Sequence, residues 1–331
     1  METETKTKEK QEKPLGVDLS TTSLKIVQLD EQNVLKEYGI FDLPVSPNDT
    51  DIILGLKGLL NKKFTTKNAV VGLRGLDVLT KLIRVKYGDY ADVEKQVEKI
   101  LLDFLPIDRD AVEVSWEVIG QVDDLVDLLL IVIPKNVLER YERLLAGAGL
   151  KILAAEINAL AVKRAAKLEK SEQVEMVIDM HADETNIVIY NRGVLLLDKT
   201  IPKGGMAITR LMSRKMTISV VEAEKQKRDS KSVDEKVFHE SYKPVADLIL
   251  AEVGRVMSIA SLDYDLKVEK IWLCGGDFNA DNLREYFIHN LSEFIDTQLF
   301  IPSGVDLSQN ITKESGDCLR LVNAIGLAMK Y

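Results

Sequence analysis

Apolar residues along the chain follow two rhythms that alternate from the N-terminus onward. Short apolar or two-residue-periodic runs read as strands, and longer stretches with apolar residues every three or four positions read as helices. Strands are predicted at 16–19 and 24–29 around the polar turn of "GVDLSTTSLKIVQL", with a third in "VLKEYGIFDL". "DIILGLKGLLNKKF" predicts a helix with Ile53, Leu56, Leu59 and Leu60 at helical spacing. "NAVVGLRG" reads as a buried strand and "DVLTKLIRV" as a half-buried one. In "DYADVEKQVEKILLDFLP", Asp92 is expected to cap a helix whose stripe is Val93, Val97, Ile100 and Leu101, and Pro106 to end it. "VEVSWEVIG" and "DLLLIVIP" suit a hairpin, and "KNVLERYERLLAGAG" a helix ending at Gly147 and Gly149.

The second half repeats the opening. "EMVIDMHADETNIVIYNRGVLLLDKTIPKGG" predicts strand, polar turn, strand, Asn-Arg-Gly turn, strand. Its "VIDMHADETNIVIY" parallels "GVDLSTTSLKIVQL": an apolar run ending in Asp, a polar turn, an alternating strand. A pattern that occurs twice at long spacing points to a duplicated lobe rather than a solenoid.

Size agrees with two lobes, because 331 residues exceed the usual single core. The formal net charge of −9 gives a nucleic-acid partner no electrostatic footprint. Cys274 and Cys318 lack metal-ligand or CxxC spacing, which argues against a zinc site and for a reducing compartment. The longest apolar run, Leu128 to Ile133, is too short to span a bilayer, and residues 1–14 lack the apolar core of a signal peptide. The expectation is a cytoplasmic protein with a solvated, disordered leader at "METETKTKEKQEKP".

The duplicated turns have a chemical reading. Two strand–turn–strand loops facing each other can clasp a polyphosphate. Ser20, Thr21, Thr22 and Ser23 let backbone N–H groups approach phosphate oxygens, and Lys25 adds a positive charge. Asp18 and Asp179, one at each strand end, suit a hydrated Mg²⁺ held through its waters. For either loop alone, a plain hairpin with turn-favouring Asp explains the same residues. A third element, "VEKIWLCGGDFNADNLREYF", runs from a strand through Gly275-Gly276 into a helix that Asn279 or Asp281 would cap. Glycines there permit close approach of a ring or phosphate to the backbone.

These motifs, in this order, resemble the PilM family, the actin-like cytoplasmic component of type IV pilus machinery and a relative of the cell-division protein FtsA. "GVDLSTTSLKIVQL" and "VIDMHADETNIVIYNRG" are similar to the two phosphate motifs, "IWLCGGDFNADNL" to the adenosine motif, and "NAIGLAMK" to the closing helix. "IPKGG" with "AITRLMSRKMTISVVEAEKQKR" resembles the passage into the helical subdomain, and "VEKQVEKILLDFLPIDRDAVEVSWEVIG" the inserted module. The resemblance, over about 15–331, implies an α/β fold of the actin/Hsp70-like ATPase type with ATP and Mg²⁺ between two lobes. It implies subdomain 1A over 15–67, an FtsA-type 1C module at 68–153, a return to the first lobe at 154–171, subdomain 2A at 172–205 and 266–331, and helical subdomain 2B at 206–265. By the same resemblance, Asp18, Ser20, Thr21, Ser23 and Lys25 face the phosphates from one side, Asp179 and Thr185 from the other. Gly204 and Gly205 would close on the sugar-phosphate region, Glu224 and Lys227 would reach ribose and adenine, and Gly275 and Gly276 would underlie the adenosine. Arg255 is a candidate addition to the adenine pocket.

One departure stands out. His181 occupies a position where the family usually has Gly, and Asp183 and Glu184 follow where small hydroxyl residues are usual. An imidazole and two carboxylates beside a triphosphate are expected to crowd and repel it. No residue has the sequence context of a hydrolytic base, and His239 and His289 read as surface residues, so nucleotide binding as a conformational clamp, with slow turnover or none, is expected. The resemblance further implies a partner, the cytoplasmic N-terminal peptide of a PilN-like membrane protein, docked at the 1C module near "LTKLIRV" and "VSWEVIG" with Trp116 as anchor. Other pilus inner-membrane components would follow, the membrane being reached only through partners. The alternatives are a GspL-type module of a type II secretion system and a sugar or acetate kinase of the same superfamily.

Overall fold

A computed structural model describes residues 12–61, 64–105, 108–228, 233–307, 311 and 316–331. Residues 1–11 of the charged leader and Pro106, the expected helix stop, lie outside the described residues.

The chain opens with an antiparallel meander, β1 (Leu15–Leu19), β2 (Ser23–Leu29) and β3 (Leu35–Asp42). Helix α1 (Asp49–Leu60) then leads to β4 (Asn68–Leu73), which lies parallel to β1. The inserted module is narrower than the 68–153 expected, because β4 pairs in the first sheet: it comprises β5 (Leu79–Lys86), α2 (Tyr90–Phe104), β6 (Val112–Val122) and β7 (Leu125–Pro134). Helix α3 (Lys135–Gly147) returns the chain to β8 (Lys151–Ile157), parallel to β4, and α4 (Asn158–Ala166) closes the first half.

The second half begins with another meander, β9 (Val174–Met180), β10 (Thr185–Asn191) and β11 (Val194–Ile201). Three helices follow, α5 (Gly205–Met216), α6 (Val220–Arg228) and α7 (Glu235–Tyr264). Then come β12 (Lys270–Cys274), α8 (Asp281–Ser292), β13 (Asp296–Leu299), α9 (Gly316–Arg320) and α10 (Val322–Ala328).

The two halves share one topology. The first sheet runs β3-β2-β1-β4-β8 and the second β11-β10-β9-β12-β13, each an antiparallel meander extended by two parallel strands. The registers place Asp18 beside Gly72 and Asp179 beside Cys274, so both carboxylates end the middle strand of their sheets. Strands β1, β2 and β9 are buried along their whole length, and β10 up to Asn191, because helices cover both faces; that is why they read as near-continuous apolar runs. The third sheet, β5-β7-β6, belongs to the module and packs on Val97 and Leu101 of α2. Burying those two side chains contributes about 1.5–3 kcal/mol each.

Local chemistry sets the ends. Asn48 caps α1 by accepting from the N–H groups of Thr50 and Asp51, while the Asp51 carboxylate accepts from the Asn48 N–H. Asp89, not Asp92, caps α2: its carboxylate accepts the Asp92 N–H, one turn earlier than the apolar stripe marks. Helix α8 starts behind Ala280 with no side-chain cap, and Asn279 instead donates to the Gly316 carbonyl at 2.8 Å. Gly149, at φ +82°, makes the left-handed turn after α3. The apolar face of α7, from Phe238 through Val245, Ile249, Val253 and Val256 to Ala260, keeps helical spacing along the whole element and seals the second core.

Candidate functional site

The ends of the two meander turns meet at a cleft between the two five-stranded sheets, around a cavity of about 260 Å³. From the first half it is lined by Ser20, Thr22, Ser23 and Lys25, and from the second by Asp179, His181, Glu224, Lys227 and Gly275–Asp277. Arg228, Arg320 and Asn323 complete the polar wall, and Ile208, Phe238, Ala280 and Leu283 supply apolar surface.

Each strand-end carboxylate has a cation of its own. Asp18 and Lys25 are cross-strand neighbours in the β1–β2 hairpin, and Lys25 Nζ donates to Asp18 Oδ2 at 2.8 Å with both side chains nearly inaccessible. Asp179 Oδ2 lies 2.8 Å from His181 Nε2 and accepts from Asn323 Nδ2 at 3.1 Å. Burial alone would push the Asp179 carboxyl up. The His181 charge and the hydrogen bonds of His181 and Asn323 outweigh it and hold the group below the ordinary carboxylate range. Burial disfavours the imidazolium in turn, but Asp179 first, then Asp18 and Glu184, raise His181 from 6.5 to about 9.

On the opposite wall, Lys227 Nζ sits 2.6 Å from Asp277, 3.0 Å from Glu224 and 3.1 Å from the Gly205 carbonyl. Against desolvation, Asp277 and Glu224 keep this buried lysine charged and raise its pKa. Thr209 donates to Glu224 at 2.5 Å. At the mouth, Asp42 of β3 accepts from Arg228 of α6 at 2.8 Å and from Arg320 of α9 at 2.5 Å, tying the halves together.

Nine of the residues expected from the sequence share this cavity: Ser20, Thr22, Ser23, Lys25, Asp179, Glu224, Lys227, Gly275 and Gly276. Asp18 and Thr21 line a small adjoining pocket with Asn158, His181, Asp183 and Glu184. Thr185 does not face the cavity, a correction to the expectation: it is fully buried and its hydroxyl donates to the Lys203 carbonyl at 2.8 Å. Gly204 and Gly205 form its support rather than its lining. A Cβ on Gly204 would sit 2.0 Å from the His181 carbonyl oxygen, and one on Gly205 would sit 1.9 Å from the Asp277 carboxylate. Arg255 pairs with Glu252 on an exposed face of α7, away from the cavity. His239 and His289 are exposed.

Glu184 does not line the main cavity, where the sequence placed it beside a phosphate. Its carboxylate turns away across the cleft and accepts the N–H groups of Gly75 at 3.1 Å and Leu76 at 3.2 Å. Residues the sequence reading missed, Asp42, Asp277, Arg228, Arg320 and Asn323, come from distant segments that only the fold brings together. Three of them lay inside segments already marked: Asp277 directly follows the glycine pair, Arg228 directly follows Lys227, and Asn323 begins "NAIGLAMK".

One further feature tests whether the cleft suits a ligand. Among the described residues, the buried side-chain N and O atoms without a hydrogen-bond partner are Oδ1 of Asn158, Asp179 and Asn323. All three residues line this cavity or its adjoining pocket. Buried polar atoms are almost always paired, so orphans gathered in one cleft mark where donors from elsewhere belong. Hydroxyl groups or the water shell of a cation meet that need. With the turn N–H groups of Thr21 and Thr22, Lys25, His181 and the apolar wall, the residues fit Mg²⁺ with a nucleotide.

Fold and cleft together define a two-lobed protein of the actin-like ATPase class. The chain is similar to a solved PilM-PilN type IV pilus biogenesis complex, at 18% identity over 96% of this chain and 98% of that one, with a TM-score of 0.85. It is similar to the ethanolamine utilization protein EutJ from Carboxydothermus hydrogenoformans, at 16% identity over 98% and 91% and a TM-score of 0.59. A protein of unknown function with actin-like ATPase fold from Bacteroides thetaiotaomicron is 10% identical over 97% and 96%, at 0.50. The model of the family of type IV pilus assembly protein PilM matches residues 16–331. The chain belongs to the PilM family. That match favours neither the type II secretion module nor the sugar or acetate kinase. No described helix is long and apolar enough to cross a membrane.

Proposed function

We propose that the chain is a nucleotide-gated docking scaffold of a type IV pilus machine, binding Mg²⁺-ATP in the cleft and a PilN-like membrane protein's cytoplasmic N-terminal peptide on the inserted module. The observation that carries the nucleotide part is the concentration of unpartnered buried oxygens at Asn158, Asp179 and Asn323, beside two cation–carboxylate pairs. The hydroxyls of a bound nucleotide and the water shell of Mg²⁺ would supply the donors that these oxygens lack. Asp18 and Asp179 would hold the metal through its waters. Lys25 and the turn N–H groups of Thr21 and Thr22 would bind phosphate oxygens, and Glu224 and Lys227 would orient the sugar and base. Because the lining comes from both halves, a ligand that touches both favours the closed state by its differential affinity. The cavity, about 260 Å³, lies close to the lower end of the roughly 300–1,000 Å³ of common ligand sites. The Asp42 pairs with Arg228 and Arg320 bridge its mouth.

The partner is extended to this chain from the PilM–PilN complex to which it is similar. Strands β5 and β6 are the two edges of the module sheet, and among the described residues each pairs only with β7. An extended peptide gains main-chain hydrogen bonds along such an edge. Leu79 on β5 and Val118 on β6 are exposed beside them, with Trp116 half-buried at the module core. Attachment through this peptide would make the protein cytoplasmic and peripheral to the inner membrane, with further pilus components recruited there.

The test is fluorescence anisotropy with a labelled N-terminal peptide of a PilN-like protein, with and without Mg²⁺-ATP. Binding weakened at least about tenfold by Val118→Asp supports docking on the module, since an exposed edge charge leaves the fold intact. Equal binding by wild type, Val118→Asp on the β6 edge and Leu79→Asp on the β5 edge would place the peptide elsewhere.

A further inference from the structure

The turn between β9 and β10 reaches in two directions. On the cavity side, His181 holds Asp179, and its N–H donates to the Glu184 carbonyl at 2.9 Å, closing the turn. On the far side, the Glu184 carboxylate, itself 3% exposed, accepts from the backbone of Gly75 and Leu76 with the Arg74 guanidinium 3.7 Å away. Burying a carboxylate is costly unless it is fully bonded, and here backbone donors of the opposite half bond it. Gly75–Asp77 is a single helical turn that leads directly into β5. The same turn is held from the module's exit, because Tyr141 of α3 donates to Asp77 at 3.1 Å. It has no slack against the second half either: a Cβ on Gly75 would lie 2.2 Å from Thr200 Oγ1 and 2.5 Å from Asn186 Oδ1.

We infer that Glu184 is a positioning residue that couples the second-lobe end of the cavity to the turn opening the inserted module, so that what occupies the Asp179–His181 end sets how firmly β5 is held. The inference rests on reading the cleft as a nucleotide site and the module as a docking surface. The link is short and continuous: Asp179, His181, the turn, Glu184, then Gly75 and Leu76. A shift of the turn moves the Glu184 carboxylate that bonds the backbone of the module's entry. Coupling of this kind is reciprocal, so a peptide on β5 changes the affinity of the cavity by the same factor.

The experiment is amide hydrogen exchange on the full chain, read at β5 residues 79–86, whose own backbone partners lie in β7. Four proteins are compared without ligand: wild type, His181→Ala, Glu184→Ala and the double variant. His181→Ala is expected to speed β5 exchange about fivefold or more in wild type and less than twofold in the Glu184→Ala background, about the span of typical couplings. Equal acceleration in both backgrounds overturns the inference. If Glu184→Ala does not fold, Glu184→Gln replaces it: it keeps an acceptor but loses the charge beside Arg74, and acceleration cut by half or more supports the coupling, whereas undiminished acceleration overturns it. Mg²⁺-ATP is then added, with calorimetry on the same samples. A nucleotide that does not bind defeats the reading of the cleft, while the His181→Ala comparison still decides the coupling.

Discussion

His181 makes a pH-dependent contribution to stability whose size follows from its surroundings. In the unfolded chain its pKa is the ordinary 6.5, and in the cleft Asp179, Asp18 and Glu184 raise it to about 9 against burial. A raised folded-state value means the folded protein binds the proton more tightly. The stabilisation is therefore fully present below pH 6.5 and lost as pH climbs through 9. At 1.36 kcal/mol per unit, that gap is worth about 3 kcal/mol. Urea denaturation of wild type and His181→Gln at steps from pH 6 to 10 measures it. Asp198, raised to about 7 by burial and by Glu184, also titrates in this window, but it is common to both proteins and cancels in their difference. The wild-type advantage should shrink by about 3 kcal/mol across the range. The ring can also be followed directly by NMR, since the chain has 3 histidines and His239 and His289 are exposed. A His181 ring titrating near 6.5, or parallel stability curves for the two proteins, would refute the ion pair and the electrostatics built on it.

Two glycine substitutions separate backbone strain from steric conflict. Gly275, at φ +103°, would place a new Cβ 2.1 Å from the Met180 carbonyl oxygen, whereas Gly149, at φ +82°, has nothing within 4 Å of its Cβ. Gly149→Ala should cost about 1 kcal/mol and Gly275→Ala at least about 3 kcal/mol by denaturant unfolding, because only the second adds a backbone clash. Asn48→Ala removes the capping box of α1 and should lower stability by about 1 kcal/mol without changing nucleotide affinity.

Much of the architecture was legible because the buried strands carry it in their composition. Strands β1 and β9 sit at the centre of their sheets with both faces covered, so each reads as an apolar run, and the Asp near its end reads as the exception that chemistry requires. The duplicated turns were visible for the same reason, and they do open on one cleft. Side-chain direction was not legible. Glu184 and Asp183 look alike beside a phosphate turn, yet Glu184 points across the cleft to backbone donors whose position depends on how the lobes pack. Thr185 follows the same turn but alternates inward, where its hydroxyl is consumed by Lys203. Arg320 and Asn323 lie more than a hundred residues from the phosphate turns, and although Asn323 begins the "NAIGLAMK" segment, its reach to Asp179 appears only once the closing segment crosses the cleft. Helix starts were missed for a related reason: the apolar stripe of α2 begins after its first turn, so Asp92 took the role that Asp89 fills.

The most direct test of the nucleotide-gated scaffold is isothermal calorimetry of Mg²⁺-ATP with the purified chain, alongside Asp18→Asn and Asp179→Asn. These variants keep the shape of each side chain and remove one charge from each lobe. Binding at micromolar concentrations that falls at least about tenfold in both variants is the predicted result, because each lobe contributes one side of the clasp. Absence of heat with the unaltered protein at millimolar ATP, or binding that neither variant weakens, would contradict it.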